Sequence, residues 1–251
     1  MVAEIHAGHV EGDGTLPLRG GQLLLARAVP GRQELAALAL YLARAVERAG
    51  GDLRLGVEAT AELILAEEPD VVVLATGARP GWPSTPGILD SPGVSPFDVL
   101  RRPPTRPRRA LIIGGGLLGV AVSHVLAAGG SEVVVVVVVE PRPELAWELG
   151  LRPRWQYVAG LRARPNVTVY LGATVEALEG DRACLQTQEG VRSLEGFDLV
   201  VPAGPLVPED SLAWALRDAA PELEVFPVGD CARPRTAYEA MQEAALLAHR
   251  L

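Results

Sequence analysis

With 251 residues, 49% of them apolar, the chain can fold as one large or two small domains around a real core. A net charge of −8 argues against nucleic acid or an anionic membrane as partner. The 23 basic residues are all arginine, which excludes a Schiff base or a P-loop lysine, and the two cysteines, Cys184 and Cys231, can neither complete a zinc site nor form a CxxC redox pair.

Met1–Arg19 is polar and has no periodicity. His6 and His9 form an HxxH on no convincing helix, so no metal is assigned to them. The N-terminus has no basic stretch followed by an apolar one, so no signal peptide is expected. Together with the sparse cysteines this predicts a reducing, cytoplasmic setting. A glycine turn, Gly20-Gly21-Gln22, comes next, then Pro30-Gly31-Arg32. Gln33–Ala49 reads as an amphipathic helix, with Leu35, Leu38, Leu42 and Val46 on one face and Gly50-Gly51 as its stop. Asp52–Val57 alternates and predicts a strand. Val71–Leu74 is a continuous apolar strand ending in Ala75-Thr76-Gly77, small residues past which a ligand could lie close to the backbone. Arg79–Arg108, rich in proline, glycine and arginine, reads as a solvated crossover between domains.

The stretch around which the rest is arranged is Arg109–Glu140. A short apolar strand runs into Gly114-Gly115-Gly116-Leu117-Leu118-Gly119, then a helix, a Gly-Gly turn and the valine run Val133–Val139 closed by Glu140. This is the strand–turn–helix–strand of a dinucleotide-binding unit. Gly114 allows the tight turn, Gly116 lets the backbone approach a pyrophosphate, and Gly119 lets helix and strand pack closely. The pyrophosphate would meet unpaired N–H groups at the helix N-terminus. Glu140 is placed to bind a ribose, which favours NAD over NADP, while Arg142 just beyond leaves NADP open. The same stretch is apolar enough to suggest a membrane span. Its glycines, His124 and the Ser131-Glu132 break instead predict buried strand, helix and strand.

A second helix is predicted over Pro153–Ala163. Val167–Leu171, Thr174–Leu178, Ala183–Thr187 and Val191–Leu194 then read as one antiparallel meander. Phe197–Pro202 is another apolar strand, ending at Ala203-Gly204. Ser211–Arg217 is helical, Leu223–Val228 is a strand punctuated by Gly229-Asp230, and Thr236–Leu251 is a closing helix. No side chain stands out as acid, base or nucleophile, and His124 reads as a packed residue rather than a proton donor.

Taken together, five segments resemble the two-dinucleotide-binding flavoproteins. They are Gly20–Leu23, Pro30–Glu34, Val73–Gly77, Gly114–Gly119 and Val228–Cys231 with the helix carrying Glu239-Ala240. The nearest resemblance is to the C-terminal reductase half of the trimethylamine dehydrogenase / 2,4-dienoyl-CoA reductase group, relatives of old yellow enzyme. It implies an α/β fold with a Rossmann-like parallel sheet and an antiparallel β-meander. An NAD(P)-binding domain (108–205) would be inserted in a truncated FAD-binding domain (1–107 and 206–251). It also implies that Gly20, Gly21, Gln22, Ala75, Thr76, Gly77, Gly229 and Asp230 face FAD, and that Gly114, Gly116, Gly119, Glu140 and Gly204 face NAD or NADP. Asp230 would accept hydrogen bonds from flavin hydroxyls, a role an acceptor-only carboxylate suits; the alternative is a helix-capping aspartate.

Departures from the pattern are equally informative. The group carries a first βαβ unit with its own GxGxxG before the GGQ turn, and residues 1–19 contain no such motif. The flavin barrel and the iron–sulfur cysteines are also missing. A sheet without that central strand leaves apolar edges to be covered. A partner oxidoreductase subunit or a second copy, an adapted fragment, or a longer protein of which this is a piece would each satisfy that need. The expected function is an NAD(P)H- and FAD-dependent oxidoreductase module. The alternative is a non-catalytic nucleotide-binding subunit, and an ordinary single-nucleotide dehydrogenase is disfavoured by the meander.

Overall fold

A computed structural model describes residues 20–104, 107–129 and 144–251, with the backbone of 5–6 and 135–140. In chain order its elements are β1 (Ile5–His6), α1 (Gly21–Leu25), α2 (Glu34–Arg48), β2 (Leu53–Arg54), α3 (Ala61–Leu65), β3 (Val71–Leu74) and β4 (Ala78–Pro80). There follow α4 (Pro96–Arg101), β5 (Arg109–Ile113), α5 (Leu117–Ala128), β6 (Val135–Glu140), α6 (Leu151–Arg162) and β7 (Val167–Leu171). The rest are β8 (Thr174–Glu179), β9 (Arg182–Thr187), β10 (Gly190–Leu194), β11 (Leu199–Pro202), β12 (Leu206–Pro208), α7 (Ser211–Ala219), β13 (Glu224–Pro227) and α8 (Ala237–Ala248). The chain divides into two compact units. One comprises the described residues of Met1–Arg27, Gln33–Arg79 and Leu206–Leu251, the other those of Ala28–Arg32 and Pro80–Pro205.

The Pro80–Pro205 unit is organised on a parallel sheet of order β11-β5-β6-β7. Continuous apolar runs make such a sheet because it is covered on both faces. Ala110, Leu111 and Ile112 of β5 are fully buried, and all four residues of β11 are buried. α5 packs against β5, β6, α4 and α6, and its residues from Gly119 to Ala127 are all buried, which is why they are apolar except for Ser123 and His124. β8, β9 and β10 form a separate antiparallel sheet. A core of Leu111, Val175, Leu178, Leu185, Phe197 and Val200 joins the two sheets.

Three elements differ from expectation. Val167–Leu171 is the parallel edge strand β7, paired with β6, and not the first strand of the meander. Its alternation comes from its position at the sheet edge. Arg79–Arg108 is not a solvated crossover: Ile88, Val99 and Leu100 are buried, and Pro96–Arg101 is helical. The prolines offer carbonyl acceptors and have no N–H of their own to satisfy. The carbonyl of Pro86 accepts from Leu178 N–H (2.9 Å), and that of Pro92 from Val200 N–H (3.1 Å). Gly87 is required at that contact, with φ +78° and no room for a Cβ, which would lie 1.9 Å from Leu178 O. The long continuous part of this unit, Pro80–Pro205, therefore takes in the proline-rich stretch. Finally, the strand expected over Asp52–Val57 is only Leu53–Arg54.

In the other unit β3 and β13 pair in parallel, Val71 to Leu74 against Glu224 to Pro227. Val72, Leu74, Ala61, Ala213, Leu216 and Cys231 form its core, with α3 and α7 packed together over it. α3 starts at Thr60, whose hydroxyl accepts from Leu63 N–H (3.2 Å).

Candidate functional site

The turn after β5 is built by close approach. Gly114 has φ +121°, and a Cβ on it would lie 2.2 Å from the carbonyl oxygen of Ala203. A Cβ on Gly119 would lie 1.9 Å from the carbonyl oxygen of Gly114. Both neighbours are backbone and cannot yield, so these two positions exclude any larger residue. Ala203 N–H donates to Ile113 O (2.9 Å), which ties the end of β11 to the end of β5. The N-terminus of α5 thus opens at the carboxyl ends of β5 and β11, where the strand order reverses, the usual ligand crevice of such sheets. Gly204 lies beside it, with Gly81 O 3.4 Å from the position of a Cβ. The backbone of Glu140 ends β6 opposite Leu171; its side chain lies outside the described residues.

Glu148, which no sequence motif marks, meets the start of α5. Its carboxylate accepts a hydrogen bond from Leu117 N–H (2.8 Å) at the start of α5. A Cβ on Gly116 would lie 2.5 Å from Glu148 Oε1. Gly116, the N-cap residue, offers no side chain, and the first turn of α5 contains no acid, so the negative charge arrives from 31 positions further along the chain. Nothing in the local sequence marks this, since the contact is tertiary. The donors and the bare Gly116 Cα surface suit a pyrophosphate once that carboxylate turns aside.

A second cluster forms in the other unit. Gln22 Nε2 donates to Ala78 O (3.2 Å) and to Asp230 Oδ2 (3.4 Å), and Gly77 (φ +79°) leaves room for that amide. Asp230 Oδ1 accepts from Arg235 N–H (2.9 Å). Gly229 N–H donates to Glu243 Oε2 (2.9 Å), and Arg235 pairs with the same carboxylate. The Arg235 guanidinium, with the Gly229 N–H, holds the Glu243 carboxyl below its ordinary range. Thr76 Oγ donates to Glu209 O. Gly20 (φ +127°) allows α1 to approach α2, since a Cβ there would lie 2.4 Å from Ala39 Cβ; Gly21 (φ +48°) faces open space. Gln22, Gly77 and Asp230 are therefore brought together. The N-cap of α8 is Thr236, in a capping box with Glu239, so the capping role considered for Asp230 at that helix belongs elsewhere.

His124 is 5% exposed, stacked on Tyr157 (ring centroids 4.6 Å apart), and its Nε2 lies 2.8 Å from Tyr157 O. Cys184 and Cys231 are both free thiols. Among the described residues no group of three or more His, Cys, Asp or Glu could hold a metal, and no helix is long and apolar enough to cross a membrane.

Residues 43–244 match the family described as pyridine nucleotide-disulphide oxidoreductase. The chain is similar to a bilirubin reductase of Mediterraneibacter gnavus, at 33% identity over 84% of this chain and 32% of that protein. It is similar in structure to a 2-naphthoyl-CoA reductase solved with 2-naphthoyl-CoA, with a TM-score of 0.83 and 29% identity over 92% of this chain and 34% of the other. Histamine dehydrogenase from Rhizobium sp. 4-9 shares the fold, with a TM-score of 0.79 at 18% identity, over 92% of this chain and 38% of its own. The chain thus spans about a third of the length of these relatives. The resemblance to the reductase portion of the trimethylamine dehydrogenase and old yellow enzyme relatives holds, as does the Rossmann-like α/β fold.

Proposed function

The chain belongs to the pyridine nucleotide-disulphide oxidoreductase family, and from that premise we propose that it is an oxidoreductase module that passes a hydride from NAD(P)H to FAD. FAD and NAD(P)H are the cofactors of the family. We assign nicotinamide binding to the Pro80–Pro205 unit, at Gly114, Gly116, Gly119, Glu140 and Gly204, and flavin binding to the other unit, at Gly20–Gln22, Ala75–Gly77, Gly229 and Asp230. The observation that carries the reading is the backbone packing at Gly114 and Gly119, which brings the start of α5 to the carboxyl ends of β5 and β11, a position that suits a phosphate. When bound, the nicotinamide supplies the hydride and the flavin accepts it; the protein contributes binding and orientation. Gln22 and Asp230 would orient the flavin chain through its hydroxyls, and the Gly114–Gly119 turn the dinucleotide. A cytoplasmic setting fits the free thiols.

A second reading has one observation in its favour, the missing GxGxxG in residues 1–19. In it the chain binds nucleotide but needs a partner oxidoreductase subunit or a second copy to complete the flavin site. The visible absorbance spectrum, taken before and after incubation with FAD and desalting, separates the two. Retained flavin bands that bleach on addition of NADH support the module. A colourless protein that still binds NADH supports the incomplete subunit, and failure to bind either cofactor sinks both.

A further inference from the structure

The Glu148 carboxylate lies where the nicotinamide site needs an anion, bonded to Leu117 N–H at 2.8 Å and against the Cα of Gly116. The turn that carries it is held firmly. Leu145 and Ala146 are buried, Ala146 N–H donates to Gly115 O (2.8 Å), and Leu149 N–H closes the turn on Ala146 O (3.0 Å). Ala146 adopts φ +47°, a left-handed conformation that alanine takes only under tertiary constraint. The turn at residues 145–149 is therefore pinned to the glycine turn itself, and it delivers the Glu148 carboxylate. α5 has no cap from its own sequence, so this carboxylate supplies the negative charge that the N-terminal N–H groups and the helix dipole favour.

A carboxylate and a pyrophosphate cannot share those donors, because both are anions and the space beside Gly116 holds one. We propose that Glu148 is a built-in competitor: it occupies the phosphate-binding end of α5 in the free protein, and a dinucleotide must displace it to bind. It thereby sets the affinity for phosphate-bearing nucleotides while keeping α5 capped in their absence. The proposal rests on the nicotinamide reading of this site.

The test compares the wild type with Glu148→Gln, which keeps an acceptor without the charge, and Glu148→Ala, which removes both. Each is titrated calorimetrically with NADH, ADP and adenosine at constant ionic strength. Both variants are expected to bind NADH and ADP more tightly, by about three- to tenfold, the equivalent of a helix cap. Adenosine, which carries no phosphate, should bind all three proteins alike. Ligand-free Glu148→Ala should unfold at a lower temperature than wild type; where it is too unstable to titrate, the Gln variant decides. A wild type that binds NADH with variants that bind it equally or more weakly overturns the proposal, leaving Glu148 a plain cap or a nucleotide ligand. A gain that extends equally to adenosine also overturns it. If neither wild type nor variants bind NADH, the nicotinamide reading itself falls, and the inference with it.

Discussion

Gln22 and Asp230, 208 positions apart in the chain, meet in a 3.4 Å hydrogen bond from the amide to the carboxylate. The contact joins the GGQ turn to the Gly229-Asp230 turn within one unit, beside Gly77. Asp230→Ala removes an acceptor for both Gln22 and any flavin hydroxyl. It should weaken FAD retention at least about tenfold, as hydrogen bonds to a charged group do. Flavin-to-protein ratio after desalting measures it, and an unchanged ratio would remove Asp230 from the site.

Gly119→Ala should destabilise the protein by about 3 kcal/mol, the upper range for overpacking. The added Cβ would lie 1.9 Å from the carbonyl oxygen of Gly114, in the tight turn that follows β5. Urea unfolding would show a lower midpoint at unchanged slope.

Gly116→Val behaves differently, because its φ of −64° suits any residue and its close neighbour is a flexible side chain. The Glu148 carboxylate can swing away at a cost of about 1 kcal/mol, the value of a cap. The valine then fills the surface a pyrophosphate would approach, and NADH affinity should fall about a hundredfold or more. Wild-type affinity in this variant would relocate the nucleotide elsewhere.

Glu140 closes β6 beside β5 and β7. Its replacement by alanine should relax discrimination against NADPH about five- to tenfold, the worth of one nearby like charge in partly screened surroundings. The ratio of dissociation constants for NADH and NADPH reads it directly.

His124 should make the fold sensitive to mild acid. Burial holds its pKa below 6.5, with Arg164 and Arg32 acting in the same direction against the Tyr157 carbonyl, which raises it. That carbonyl requires the proton on Nε2, so Nδ1 is the bare nitrogen, buried and with no partner among the described residues. A second proton would have no acceptor. The native state therefore binds fewer protons than the unfolded chain, so this contribution is present above the unfolded value and is lost as pH falls through it toward the folded one. Chemical unfolding midpoints should drop from about pH 7.5 to about pH 5.5, and His124→Gln should flatten that slope.

Much of this was legible in the sequence because glycine is informative where backbones touch. Gly114, Gly119 and Gly77 each mark a turn or an approach that another residue would spoil, and the apolar runs of β5 and β11 announce a buried parallel sheet. What escaped was tertiary. Glu148 reaches α5 from a turn whose register no periodicity fixes, and β7 alternates like an antiparallel strand only because it is an edge. The proline-rich stretch escaped for a related reason. Composition reports how few donors it has, not that β8 and β11 use its carbonyls.

That stretch decides where the molecule can be divided. A fragment starting at residue 108 would discard Ile88, Val99 and Leu100, and with them the Pro86 and Pro92 carbonyls that Leu178 and Val200 use. The excised sheet would expose fresh apolar surface and two orphaned amides, a recipe for aggregation rather than for an isolated nucleotide-binding piece. Starting at Pro80 keeps that panel attached, so the prolines behave as a fixed lining of the domain; the short Ala28–Arg32 segment, with buried Val29, belongs to the same unit, and no single cut releases it whole.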